Sequence, residues 1–297
     1  MKNRCSRNAR RGAFGVRPRF RWVAGVLVAF ALLLAGAARA AEAPLVFGVF
    51  PNLTARQALK TYAPLARALE RQLGRQVIIY TAPDFPTFVA RTRDGAYDLV
   101  LTAPHLAWLA RQDAGYRPLL KYSAPARGLL VTRKDNGLTT MAALRGRSVA
   151  ITDALALATL AIEMDLAQQG IVRGRDYTVQ RSGSHTNAIA QVIAGRVDAA
   201  IVGIHPYRMQ PETVRAQLRT LVETPPLSSL TYLAHPRLRD RDAEMLRAGL
   251  LAFAESPEGR AFLVDGGYGG LVAAEDSELG QFHEYALRAQ GLLRERQ

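Results

Sequence analysis

The sequence predicts an α/β protein of two similar lobes, each a mainly parallel sheet flanked by helices, with a ligand cleft between them. Three observations predict it. From Leu45 onward, short apolar runs alternate with amphipathic segments, the pattern of strands joined by crossover helices. A heptad recurs further along the chain, Gly95-Ala96-Tyr97-Asp98-Leu99-Val100-Leu101 against Gly195-Arg196-Val197-Asp198-Ala199-Ala200-Ile201. Each copy is a helix-stopping glycine, an acidic residue and a buried strand, followed by a Pro/His pair (Pro104-His105, then His205-Pro206). Finally, several strand-to-helix turns carry polar residues or histidines, and in open parallel sheets ligands sit at those turns.

Taken in order, Leu45–Phe50 reads as a buried strand. Thr54 and Gln57 then form a capping box, in which each side chain satisfies a free backbone N–H. The helix that follows shows Leu59, Tyr62, Leu65, Ala66, Leu69 and Leu73 on one face and stops at Gly74. Pro64 should kink it. Val77–Tyr80 is a strand, Phe85–Arg93 a helix, Leu99–Thr102 a strand and Leu106–Asp113 a helix ended by Gly115. Leu119–Tyr122 and Gly128–Thr132 follow, then a Lys134-Asp135-Asn136-Gly137 turn. The pattern restarts with Ser148–Thr152, the helix Leu155–Gln169, Tyr177–Gln180, the helix Thr186–Ala194 and Ala199–Val202. Leu218–Val222, a Pro225-Pro226 break and the strand Leu230–Ala234 lead to helices over Asp240–Ala254, Pro257–Val264 and Ser277–Leu293. This tail is too small for a third domain and should pack on the first lobe. The expected division is residues 41–132 and 223–297 for the first lobe and 133–222 for the second, with crossings near Arg133 and Val222.

The formal net charge of +14 suggests a nucleic-acid binder until its distribution is read. Nine of the 39 basic residues lie in residues 1–40, which hold no acid, leaving 30 basic against 25 acidic side chains in the rest. Nucleic acid is therefore not an expected partner. Residues 1–40 read as an export signal: a basic segment to Arg21, an apolar run Val23–Gly36, and Ala38-Arg39-Ala40 as a small-x-small cleavage site. The apolar run is short for a spanning helix, which needs about 20 such residues. Cleavage near Ala40 would remove Cys5, the single cysteine, and deliver a chain without disulfides to the periplasm.

Catalysis has little support. The five histidines show no close pairing of the kind a zinc site needs, and there is no phosphate-binding Walker loop or Gly-x-Ser-x-Gly elbow. No metal or cofactor is expected. Gly266-Gly267-Tyr268-Gly269-Gly270 follows a helix and reads as a C-cap and turn. Asp153 with His185 is the one pair that an enzyme reading would test.

Binding has more. Four turns carry the candidate ligand contacts: Asn52 and Thr54, Thr102 and His105, Thr152 and Asp153, and Ser184 and His185. Free N–H groups at helix starts suit a small anion. Taken singly, each Thr or Ser serves as an ordinary helix cap; convergence of four such turns on one cleft makes a binding site. Asp98 and Asp198 read as structural residues at strand edges.

These residues carry a resemblance to the phosphonate/phosphite-type periplasmic substrate-binding proteins of ABC transporters, of the type II binding-protein fold. It rests on Phe47-Gly48-Val49-Phe50-Pro51, Tyr62-Ala63-Pro64-Leu65-Ala66, Ala82-Pro83-Asp84-Phe85 and Gly95–Leu99. In the second half it rests on Leu144–Ala150, Gly183-Ser184-His185 and Ala194–Ala200. The resemblance implies two lobes closing on a small anion of the phosphonate, phosphite or phosphate type, a monomer, and delivery to a membrane permease. It implies a ligand contact from His185, which stands in the family's Gly-Ser-His turn. Where the family carries a hydroxyl-rich Ser-Thr-Ser-Gly stretch, this chain has Asp153-Ala154-Leu155-Ala156-Leu157-Ala158-Thr159. The same fold also serves ligand-sensing modules that report to a membrane receptor.

Overall fold

Strand β1 (Leu45–Val49) is almost wholly buried, and its neighbours explain why. In the computed structural model, which describes residues 43–295, β1 pairs in parallel with β2 (Val77–Tyr80) on one side and β3 (Leu99–Thr102) on the other. The export-signal reading of residues 1–40 lies outside the described residues. Helices α1 (Ala55–Leu73) and α2 (Phe85–Arg93) make the connections, and α3 (Pro104–Ala114) follows β3. The capping box at Thr54 is formed, and Gly74 closes α1 in the left-handed conformation at φ 67°. The helix runs on through Pro64, whose missing N–H leaves the carbonyl of exposed Lys60 without an intrahelical donor.

The first sheet is completed by antiparallel strands β4 (Arg117–Tyr122), β10 (Thr231–Ala234) and β11 (Leu271–Ala273), in the order β11-β4-β10-β3-β1-β2. The second has the order β7-β6-β8-β5-β9. There β6 (Arg147–Ile151) pairs in parallel with β7 (Tyr177–Arg181) and β8 (Ala199–Gly203), while β5 (Gly128–Arg133) and β9 (Leu218–Glu223) join antiparallel. Each sheet thus has the expected parallel trio and adds antiparallel strands beside it. The reason is topological: β5 and β10 enter from the opposite sheet without a crossover helix, so they arrive running the other way.

The heptad repeat has a structural counterpart. The Asp98 carboxylate accepts from Val46 N–H at 2.7 Å, and the Asp98 N–H donates to Val46 O at 2.8 Å. The Asp198 carboxylate accepts from Ser148 N–H at 2.9 Å and Ser148 Oγ at 2.8 Å, and its N–H donates to Ser148 O. Each aspartate ties the third strand of a parallel trio to the first. Arg237 and Arg147 hold the outer oxygens.

Three readings change. Gly128–Thr132, assigned from sequence to the first lobe, lies within β5, between β8 and β9 in the second sheet. The chain passes between the sheets at residues 123–127 and 224–230, so the crossings sit earlier and later than Arg133 and Val222 suggest. The helix expected over Ser277–Leu293 is two, α10 (Asp276–Gly280) and α11 (His283–Arg294), parted after Gly280. The tail packs on the first sheet as expected, with α8 (Asp240–Glu255) against α1; α11 meets α3 and also the second-sheet helix α4 (Leu157–Gln168).

Replacing Asp98 or Asp198 with alanine removes a charged acceptor from partly buried N–H donors, and should cost about 1.5–3 kcal/mol each. Urea unfolding at neutral pH measures this; a loss below ~0.5 kcal/mol would show that the ties do not hold the trios together.

Candidate functional site

The carboxyl ends of the two parallel trios face one another across a cavity with about 600 Å³ of empty space, its open mouth included. The first sheet contributes Phe50 and Asn52 after β1, Phe85 at the start of α2, and Ala103-Pro104 after β3. The second contributes Ala156-Leu157-Ala158 at the start of α4, His185 at the start of α5 (His185–Ile193), and Gly203 to Pro206 leading into α6 (Ile204–Arg208). The crossing segments add Ala126, Arg127, Leu227 and Leu230, and Tyr268 enters from the tail.

His185 is the best-defined polar group. Gly183, at φ 72°, makes the turn, and Ser184 caps α5 by accepting from Asn187 N–H at 3.1 Å. Behind the ring, Nδ1 lies 2.7 Å from Thr152 Oγ1 and 3.3 Å from Gly203 N. A backbone N–H can only donate, so Nδ1 carries the lone pair and the hydrogen sits on Nε2. The Thr152 hydroxyl completes the lock by donating to Nδ1 as well. Burial lowers the pKa of His185 to about 4, so at neutral pH it is an uncharged imidazole with its hydrogen on Nε2.

The other sequence candidates divide. Asn52 lines the cavity, 6% exposed, with no partner for Oδ1. Thr152 acts through His185. Ser184 and Thr54 are helix caps, the structural role that such residues have one by one. Asp153 accepts from Leu155 N–H at 2.9 Å and pairs with Arg181. Thr102 lines a separate small gap with Phe88, Leu106 and Leu109. His105 does not line the cavity: its Nε2–H donates to Leu155 O at 2.8 Å, tying α3 to the loop before α4. That bond joins the two halves.

Sequence reasoning missed Arg127, His205 and Tyr268. His205 is buried against the backbone of Gly266 and Gly267, and its ring lies 5.2 Å from that of Tyr268. Tyr268 in turn stacks on Tyr122 at 4.2 Å. Gly267 does cap α9 (Pro257–Gly266) as expected, at φ 63°, and the same turn swings Tyr268 into the cleft. The signal for His205 was the repeat, which matches it to His105. Arg127 has no sequence signal; it lies on a crossing and pairs with Glu223 at 3.0 Å.

Burial lowers His105 and His205 to about 4 as well, the Arg208 charge adding to the effect at His205. Unfolded histidines titrate near 6.5, so between pH 6.5 and 4 the unfolded chain binds more protons than the folded one. Stability should hold above pH 6.5 and fall with acidification, by up to about 1.4 kcal/mol per pH unit for each such histidine. Denaturant midpoints at pH 7.5 and 5 test this: an unchanged midpoint would contradict the neutral buried assignment.

Comparison with known proteins gives a consistent result. The model of the family described as ABC transporter, phosphonate, periplasmic substrate-binding protein matches residues 47–279. No curated protein matches the sequence. Among solved structures, a binding-protein component of an ABC phosphonate transporter from Pseudomonas aeruginosa is 19% identical, with a TM-score of 0.75 over 83% of this chain and 86% of that one. PhnD1 from Prochlorococcus marinus, in complex with methylphosphonate, is 17% identical, with a TM-score of 0.74 over 83% and 98%. XAC2383 from Xanthomonas citri, bound to ATP, is 20% identical, with a TM-score of 0.67 over 86% and 99%. These likenesses show the type II binding-protein fold. With a family match that takes in both sheets and every wall of the cavity, the chain belongs to the phosphonate periplasmic substrate-binding proteins of ABC transporters.

Proposed function

We propose that the chain captures a small anionic solute between its two lobes and delivers it, unchanged, to the permease of an ABC transporter. The observation that carries this is the cavity walled jointly by both sheets, with the Nε2–H of His185 free to donate into it. Asn52 and His185 are the ligand contacts from opposite sides, and Thr152 positions the imidazole. The first lobe comprises β1 to β4 and the chain from β10 onward; the second comprises β5 to β9. The crossings at 123–127 and 224–230 form the hinge, and a ligand that bonds to both lobes favours the closed form.

Binding without turnover fits the side chains. His185 Nδ1 is occupied by Thr152 and Gly203, while Asp153 is engaged by Leu155 and Arg181, so the pair does not form an acid–base couple. Family membership supports action in the periplasm; the small-x-small sequence Ala38-Arg39-Ala40 supports a leader cleaved near Ala40, and the reading takes the protein as a monomer.

A thermal-shift series with phosphite, phosphate and alkylphosphonates tests the reading. A bound solute at ~100 times its Kd stabilises by about 2.7 kcal/mol, worth roughly 5 °C or more here. The shift should vanish in His185→Ala. A shift that survives His185→Ala and Asn52→Ala together would place binding elsewhere.

A further inference from the structure

We infer that the two lobes are latched shut by side chains of the chain itself, so that the closed form predominates before any solute binds and opening is the step that admits one. The latch is the start of α4, anchored in the second lobe and inserted into the first.

The sequence of α4 prepares this. A helix on a protein surface buries one stripe and leaves the opposite face polar. In α4, every residue from Leu157 to Ile162 is buried, a run longer than one full turn. A helix enclosed on all sides needs partners on more than one of them, and each lobe supplies one. Ala158, Ile162 and Leu166 belong to the core that Leu130, Val149 and Ile201 build in the second lobe. Leu157 and Leu160, with Leu155 in the preceding loop, belong to the core of the first.

Leu155 makes the crossing most completely. Its side chain is wholly buried, and its carbonyl accepts from His105 Nε2–H at 2.8 Å, His105 being itself fully buried at the start of α3. On the second-lobe side, Asp153 accepts from Leu155 N–H and pairs with Arg181 of β7, which fixes the loop that carries the leucine. The C-terminal helix backs the junction. In α11, His283 lies edge-on to Trp108 of α3 at 4.9 Å, and Leu292 packs against the cores of both lobes.

Opening must carry α4 away with the second lobe, because α4 lies so close to β5 that a Cβ at Gly128 would stand 3.1 Å from Ala158 O. It would withdraw Leu155 and Leu160 from the first lobe and return them to water. Each fully buried leucine shifts such an equilibrium by roughly tenfold or more, so the pair favours closure by roughly a hundredfold. That preference needs no solute, and the contacts of a solute with both lobes add to it.

Spin labels test the latch. Residues 41–297 contain no cysteine, so nitroxides can be placed on cysteines introduced at the exposed positions Pro83 and Ala190, one on each lobe. Refolding from denaturant strips any carried solute before the electron–electron distance is measured. The otherwise unaltered chain should give one short distance. Leu155→Ala should raise a longer component to roughly a tenth of the molecules, and Leu155→Ala with Leu160→Ala should make the two comparable, while Leu155→Met keeps the short one. A predominantly long distance in the refolded, otherwise unaltered chain would overturn the latch whatever the variants do. So would a single short distance in Leu155→Ala, provided that this variant unfolds cooperatively. Either outcome leaves the proposed capture of a solute standing, since a cleft that rests open can still close on its ligand.

Discussion

The organisation of this protein depends on one constraint: the chain passes between its two sheets twice, and the two passages are bonded to each other. Ala126 N–H donates to Leu227 O at 3.0 Å, and Leu227 N–H donates to Ala126 O at 2.9 Å. Thr224 extends the pairing, its N–H donating to Gly128 O and its hydroxyl accepting from Gly128 N–H. The crossings therefore form a short ribbon and not two independent strings. A ribbon can bend about its length while resisting shear, so the carboxyl ends of both parallel trios are kept facing one cavity. Gly128 sits where the ribbon meets α4; a Cβ there would lie 3.1 Å from Ala158 O, so the close approach depends on glycine.

Contacts across the cleft complement this ribbon. His105 Nε2–H reaches Leu155 O, His205 lies against Tyr268, and Leu155, Leu157 and Leu160 pack into the core of the first sheet although they belong to the second-sheet side. Leucines take up apolar contact with the opposite sheet where hydroxyls would instead face a ligand or water. These aliphatic side chains favour contact between the two sheets, because packing them there removes apolar surface from water.

Much of the fold was legible because its signals are local. Thr54 with Gln57, Ser184, Asp84 and the glycines after α1 and α3 each specify an element end through a hydrogen bond within a few residues or a positive φ. The repeated heptad disclosed two equivalent trios, since both copies place an aspartate against the first strand. Less legible was anything decided by residues far apart. Gly128–Arg133 is an apolar strand that either sheet could have taken, and its place follows from pairing with β8 and β9. The site shows the same division. His185 stood out by its turn, whereas Tyr268 reaches the cleft only because the tail packs back.

Histidine chemistry explains why three of five histidines cluster at this cleft. An imidazole that is kept neutral can donate from one nitrogen and accept at the other, and which does which is settled by the backbone. At His185 the Gly203 N–H makes that choice, and at His105 the Leu155 carbonyl does. A lysine or arginine in either place would bring a charge into an apolar wall and require a carboxylate beside it. Neutral imidazoles hold their hydrogens in fixed directions without bringing a charge into the apolar wall.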